Sequence, residues 1–328
     1  MMATLRPFDW RDLPVLHRYR SRALCLDSAL GATRGVNLAP GVLLSFLTPA
    51  TGIFTWICSD ECDEQPLMGQ IAHSPEEAFA RLTFLAPEEA LESPSITDLL
   101  EQLAQHSGER GAFNLLAETE ENSAAFEPLR HAGFAIYARQ RIWQKIENGS
   151  NLKPKIPWEA ANKPDAFNVQ ALYHNVVPGL VQQVEPLPDK QINGLVCYID
   201  GELIGYVDLK YGPRGIWAHP FIHPDATDLD ARLGDMLFSI ADRRARPIYI
   251  CVRTYQSWLE SALEANLVQA GPSQAIMVKR LAAQQRATRP FAIPQIEGQR
   301  EITTPVSQSK QNDATIPNVP NRLNHENL

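Results

Sequence analysis

Apolar and polar residues alternate along this chain in two rhythms, and each rhythm occurs twice. Between Ser95 and Gln105, "ITDLLEQLA" puts apolar residues on one face at helical spacing. "LGDMLFSIA" repeats the pattern from Leu233 to Ala241. Apolar residues coincide at five positions, beside the identical Asp98 and Asp235. Just upstream, "FLAP" at Phe84–Pro87 matches "FIHP" at Phe221–Pro224 at the same offset of 137 residues. Further on, "FEPLRHAGF" (Phe126–Phe134) pairs with "LESALEANL" (Leu259–Leu267) at an offset of 133. Three matches in one order point to an internal duplication with small length changes in loops.

The pattern divides the chain into residues 1–146 and 158–282, joined by a linker at 147–157 rich in Pro, Asn and Lys. Periodicity stops after residue 282, where Gln, Pro, Asn and Thr accumulate, so 283–328 is expected to be a disordered tail. The first copy reads as a strand over Ala3–Phe8, a helix capped by Asp9, and strands near Gly52–Ser59, Leu67–Ala72 and Ala78–Leu85. A helix at Ser95–Gln105, a strand at Phe113–Ala117, a helix at Ser123–His131 and a strand at Ala135–Trp143 follow. In the second copy, a helix across "FNVQALYHNVV" precedes a hairpin, "LVCYIDGELIGYVDL", whose Asp200-Gly201 suits a tight turn. Strand Gly215–Ile222, helix Ala231–Arg243, strand Ile248–Val252 and helix Ser257–Ala265 end that reading. The fold class is α+β, each half a mixed, mostly antiparallel sheet flanked by helices.

Composition narrows the function. With 44% hydrophobic residues among 328, the chain can bury more than one sizeable core. No run approaches a membrane span and the start has no apolar signal stretch, so a soluble, cytoplasmic protein is expected, with no membrane partner. A net charge of −8 argues against a general nucleic-acid surface. Five cysteines, Cys25, Cys58, Cys62, Cys197 and Cys251, read as reduced thiols, mostly buried. Cys58 and Cys62 have only His73 near them in sequence, too few ligands for a metal site.

The order of elements resembles that of the GNAT acyltransferase superfamily. "TLRPFDWRDLPVLHRYR" looks like its opening strand and first helix, "IDGELIGYVDL" is similar to its second hairpin, and "NSAAFEPLRHAGF" resembles the segment closing such a domain. The resemblance spans most of residues 1–282 and implies two GNAT-like domains in tandem. It also implies a cofactor, acetyl-CoA or another acyl-CoA, whose pyrophosphate meets a Gln/Arg-x-x-Gly-x-Gly/Ala loop and a helix N-terminus. In the second copy those positions fall on Leu229, Arg232 and Gly234; in the first they fall on Glu92, Ser95 and Thr97. Both loops have lost the fingerprint and carry carboxylates where a polyanion would dock. The tyrosine acid that such enzymes often use is replaced by Leu129 and Ala262.

Read through the resemblance, the candidate residues lie mainly in the second copy. Phe221, Ile222, Arg232 and Gly234 are candidates for the cofactor, and Tyr211 and Arg214 for the substrate. His219, His223 and Tyr255 are candidates for catalysis; the two histidines, four residues apart, share a face of a regular strand. The plainer reading makes them hydrogen-bonded strand histidines, and makes Tyr206 and Trp217 core aromatics. Three functions remain open. One is an N-acyltransferase acting on a small amine, with the second half the active one. Another is an inactive tandem GNAT fold that binds a small ligand or protein. The third is a structural or assembly role.

Overall fold

The computed structural model describes residues 4–35, 52–59, 65–145, 157–187, 192–240, 244–266 and 268–281. The expected tail at 283–328, and the linker up to residue 156, lie outside them. The thirteen strands are β1 (Thr4–Pro7), β2 (Leu24–Cys25), β3 (Ile53–Ser59), β4 (Leu67–Ala72), β5 (Phe79–Ala86), β6 (Asn114–Thr119), β7 (Ala135–Lys145), β8 (Glu159–Ala160), β9 (Gly194–Ile199), β10 (Glu202–Tyr211), β11 (Ile216–Ile222), β12 (Ile248–Arg253) and β13 (Gln269–Arg280). They form one sheet in the order β1-β3-β4-β5-β6-β13-β7-β12-β11-β10-β9-β8, with β2 on β5. The helices are α1 (Leu13–Tyr19), α2 (Ser28–Arg34), α3 (Ser95–Glu109), α4 (Phe126–His131), α5 (Ala166–Val176), α6 (Gly179–Val184), α7 (Leu229–Ser239) and α8 (Leu259–Ala265).

The duplication is visible in what is buried. Ile96, Leu99, Leu100 and Leu103 on α3 pack under the first half's strands, and Leu233, Met236, Leu237 and Ile240, each 137 residues later, pack under the second half's. Burying each such side chain contributes about 1.5–3 kcal/mol, so the apolar stripe rather than helix propensity fixes these helices. The hairpin forms as expected: Asp200 and Gly201 have φ of 49° and 86°, and Ile199 faces Glu202. In each half one pair of strands is parallel, β5 with β6 and β11 with β12. Each pair is in register for only three residues before parting, Phe79–Arg81 with Asn114–Leu116 and Ile216–Ala218 with Ile248–Ile250.

The closing strands are exchanged. β13, from the end of the second half, lies between β6 and β7 of the first, antiparallel to both, and β7 pairs in turn with β12 of the second half. Each half-sheet is therefore completed by the other half's last strand. Sequence periodicity does not reveal β13, because it opens on "QAGPSQ" and only Ala275–Val278 is a buried apolar run. Ending the chain at residue 267 should expose the edges of β6 and β7 together. Hydrogen exchange should then show amides of 114–119 losing protection although they lie some 150 residues upstream of the cut. Unchanged protection there would mean that the first half closes without the exchange.

Candidate functional site

One face of the sheet packs on the α3–α4 and α7–α8 cores; the other carries a row of polar side chains. On the second half, β10 and β11 place three cross-strand pairs on that face: Tyr206 with Phe221, Asp208 with His219, and Lys210 with Trp217. Tyr206 and Phe221 stack at 6.1 Å between ring centroids, and His219 lies 4.5 Å from Phe221. Across the exchanged strands the row continues by hydrogen bonds. The Cys251 thiol donates to Gln140 (3.2 Å), and the Gln140 amide donates to Glu118 (2.9 Å) and Gln274 (2.9 Å). The Ser28 amide on α2 also donates to Glu118 (3.0 Å). Farther out, Thr83, Gln70 and Thr55 bond one another on β5, β4 and β3.

Where the halves meet, this face lines a cavity of about 670 Å³. A chain of alternating charges crosses it. Glu118 and Glu185 each lie 3.6 Å from Arg81, and Arg253 bonds both Glu185 oxygens at 3.1 and 3.3 Å. Burial alone would raise the Glu185 carboxyl; Arg253, Arg81 and the hydroxyl of Tyr137 overcome it and hold it down to about 2. The two cations and two carboxylates balance. Not every polar group is satisfied, however. Arg253 is 4% exposed, yet its Nε and Nη1 have no hydrogen-bond partner among the described residues, and the same is true of His219 Nε2. The Cys251 sulfur lies against the guanidinium as a weak acceptor, a contact too poor to count as a full hydrogen bond to either nitrogen. Burial first, then Arg253, pushes His219 down to about 3, so the imidazole is neutral at ordinary pH. Asp208 is raised by burial.

The site expectations divide accordingly. His219, Tyr255 and Phe221 line the cavity together. His223 lies beyond the end of β11, half exposed, with its Nδ1 accepting from the Asp225 amide (3.3 Å). Arg232 and Gly234 are inside α7, in its first two turns, so the loop before the helix is 223–228 and has no glycine. The Arg232 side chain turns inward, bonding the Thr227 carbonyl and reaching Cys197 Sγ at 3.7 Å, while its carbonyl accepts from Trp158 (3.0 Å). A Cβ at Gly234 would meet Asn266 Oδ1 at 2.7 Å, so this glycine admits the end of α8. Tyr211 and Arg214 flank the β10–β11 turn at the other end of these strands, where the Arg214 amide donates to Thr33 of α2 (2.9 Å). Arg81, Glu118, Glu185, Asp208 and Arg253 were not among the sequence candidates; the available signal was a single charge inside an apolar strand, as in "FARLTFLA" and "IYICVR".

The residues do not fit an acyl-CoA. Parallel strands that part leave unpaired backbone groups, a natural seat for an extended ligand arm at the strands' carboxyl ends. In the first half the chain itself takes that seat: β2 pairs with β5, Leu26 N donates to Thr83 O (2.8 Å) and Glu118 N donates to Leu26 O (2.9 Å). The first amides of α3 are also engaged, Ser95 N with Ser93 Oγ (3.2 Å), Ile96 N with Ser93 O (3.1 Å) and Thr97 N with Pro94 O (3.3 Å). In the second half the fully buried Gln256 fills the gap, donating to Pro220 O (3.0 Å) and accepting from Ile222 N (3.3 Å). Ile222, a cofactor candidate, thus spends its amide on a side chain.

No family model matches the chain, and no curated protein matches it. Among solved structures, a GCN5-related N-acetyltransferase from Sphaerobacter thermophilus aligns over 85% of this chain and 95% of its own, with a TM-score of 0.53 at 12% identity. A tandem GNAT protein from the clavulanic acid biosynthesis pathway aligns over 85% and 98%, with a TM-score of 0.49 at 14% identity. The chain has the fold of the GNAT acetyltransferases, and its duplicated core and exchanged strands make it a tandem version of that fold. Among the described residues, no helix is long and apolar enough to cross a membrane.

Two outcomes follow from these contacts. Gln256→Ala should cost about 1–3 kcal/mol in chemical denaturation, because it leaves Pro220 O and Ile222 N buried and unpaired. A cost near zero would mean that water replaces the carboxamide there. His219 has a folded pKa below its ordinary 6.5, so its contribution to stability is whole above that value and is lost as pH falls towards 3. His219→Asn should therefore flatten the fall in stability between pH 6.5 and 4, measured by urea melts at each pH; parallel curves would show a solvated imidazole.

Proposed function

We propose that this protein is a ligand-binding module built on a tandem GNAT fold, with acyl-CoA transfer absent from both halves. The observation that carries this reading is that each parted strand pair is closed by the protein's own atoms, the Leu24–Leu26 segment in one half and Gln256 in the other. An acyl-CoA arm would have to displace paired backbone in the first half and a buried carboxamide in the second. The loops add to the barrier. Glu88, Glu89 and Glu92 precede α3 and Asp225, Asp228 and Asp230 surround the start of α7, so a pyrophosphate would meet carboxylates. A concavity that can take a ligand lies between the halves, lined by guanidinium, imidazole and aromatic side chains.

Titration calorimetry with acetyl-CoA and CoA tests the reading on the full chain. No saturable heat is expected at millimolar ligand. One-site binding in the micromolar range, about −8 kcal/mol, would return the second half to the acyltransferases. If binding appears only in Gln256→Ala, the carboxamide is what closes that half.

A further inference from the structure

Two short helices wall the central cavity, one sent across the junction by each half, and they are held in different ways. α2 of the first half reaches the β10–β11 turn of the second and presents Ala29 to the cavity. Its grip is close and lies on the backbone. The Arg214 amide donates to Thr33 O (2.9 Å). A Cβ at Gly212 would lie 2.3 Å from that same oxygen, and one at Gly215 would lie 2.5 Å from Ala32 O. At the helix start, Asp27 accepts from the Leu30 amide (3.0 Å) and Glu118 from the Ser28 amide (3.0 Å). This wall cannot shift without breaking contacts at both its ends.

α6 of the second half reaches the opposite way, setting Val184 against Phe79, Leu116 and Val278, and walls the cavity with Val181, Glu185, Pro186 and Leu187. Only Val181 and Val184 of this helix are buried, and Leu180 is 53% exposed. Its attachments converge on one residue. The Glu185 carboxylate accepts from Arg253 (3.1 and 3.3 Å) and from the Tyr137 hydroxyl and lies 3.6 Å from Arg81, while its carbonyl accepts from Tyr173. Asn114 Nδ2 adds a long bond to Val184 O (3.4 Å). At the other end of the helix, Val177 and Pro178 are extended, with ψ of 130° and 142°, and Gln182 bonds Val177 O beside them (2.6 Å). We infer that α6 is a hinged wall, pivoting at Val177–Pro178 and latched by Glu185, and that the cavity takes up and releases its ligand by motion on that side while α2 stays fixed. The inference rests on the ligand-binding reading above and goes beyond it by naming the moving part. A buried carboxylate suits a latch. Closed, it is stabilised by the cations it meets; opened, it and those cations are solvated together, so neither state leaves a charge buried alone.

The test follows the full-length protein, without ligand, by two readouts. In hydrogen exchange, Glu185→Gln should speed the amides of residues 181–185 by about tenfold or more and leave those of 30–34 in α2 unchanged. For the second readout, Asp208→Cys places a thiol on the cavity wall. A bulky maleimide, its attachment located by mass spectrometry to separate it from the native cysteines, should label that thiol about tenfold faster when Glu185→Gln is added. Thermal melts establish that Glu185→Gln folds. If it does not, Tyr137→Phe decides the matter, since it removes one bond to the latch and leaves the ion pairs; a rise of about threefold in both rates is then expected. Unchanged exchange at 181–185, equal acceleration of α2, or labelling indifferent to the latch would overturn the inference. Acetyl-CoA binding would instead overturn the reading on which it rests, while the exchange and labelling rates report separately on the wall.

Discussion

The antiparallel pairing of β7 with β13 is the contact on which the rest of the structure depends. Two copies of a GNAT-like sheet placed side by side would each end in an edge strand, a surface prone to adventitious pairing. Exchanging the closing strands turns those edges into the middle of one sheet. It also brings the polar face of the first half into line with that of the second, because side chains of paired strands share a face with period two. Glu118 of β6, Gln274 of β13, Gln140 of β7 and Cys251 of β12 can then touch in sequence along the sheet. Without the exchange, Arg81 of the first half would have no route to Glu185 of the second.

That continuity explains why the ion pairs are buried and shared. A charged group in an apolar interior is costly unless paired, and breaking a buried pair by deleting one member is costlier than losing an exposed one. Here each half contributes one cation and one carboxylate: Arg81 and Glu118 from the first, Arg253 and Glu185 from the second. Neither half alone is unbalanced. The bridge between Arg81 and Glu185 joins two already neutral pairs and fixes how the halves sit across the cavity.

How much of this was legible in the sequence depended on how local each signal was. The four buried positions of α3 recur on α7 because a helix stripe and its spacing are written within a dozen residues. The Asp200-Gly201 turn was legible for the same reason. β13 was not, since its place is set by two distant strands and its first half has too few apolar residues to alternate. β2 and α2 were missed likewise: a two-residue strand and a seven-residue helix carry little periodicity. Of the site candidates, His219, read from its spacing to His223, Phe221, read from the family resemblance, and Tyr255, a polar residue after the next strand, line the cavity together. Arg232 and Gly234 were placed by alignment to a loop that the structure makes helical, where the arginine ties down Thr227 and the glycine makes room for Asn266. Gln256 gave no sign of itself, because a glutamine that mimics a neighbouring backbone looks like any other glutamine.

The closed gaps and the open cavity are two sides of one allocation of hydrogen bonds. Backbone groups at both parted strand pairs are satisfied by the chain's own atoms. Those positions are finished, and nothing in their energetics calls for a ligand. The Arg253 guanidinium is the opposite case: 4% exposed, it bonds Glu185 through one nitrogen, and its other two nitrogens are buried with no hydrogen-bond partner among the described residues beyond the weak acceptor Cys251. An unpaired buried donor costs about 1–3 kcal/mol, a large share of a domain's net stability. A fold that fills its gaps with a short strand and a buried glutamine leaves these donors unmet, as it does Tyr19 Oη, Trp143 Nε1 and Trp258 Nε1 elsewhere among the described residues. Departures from local satisfaction tend to mark function. The strand gaps of each half are closed as structure, and the polar side chains of both halves meet instead in the cavity at their junction.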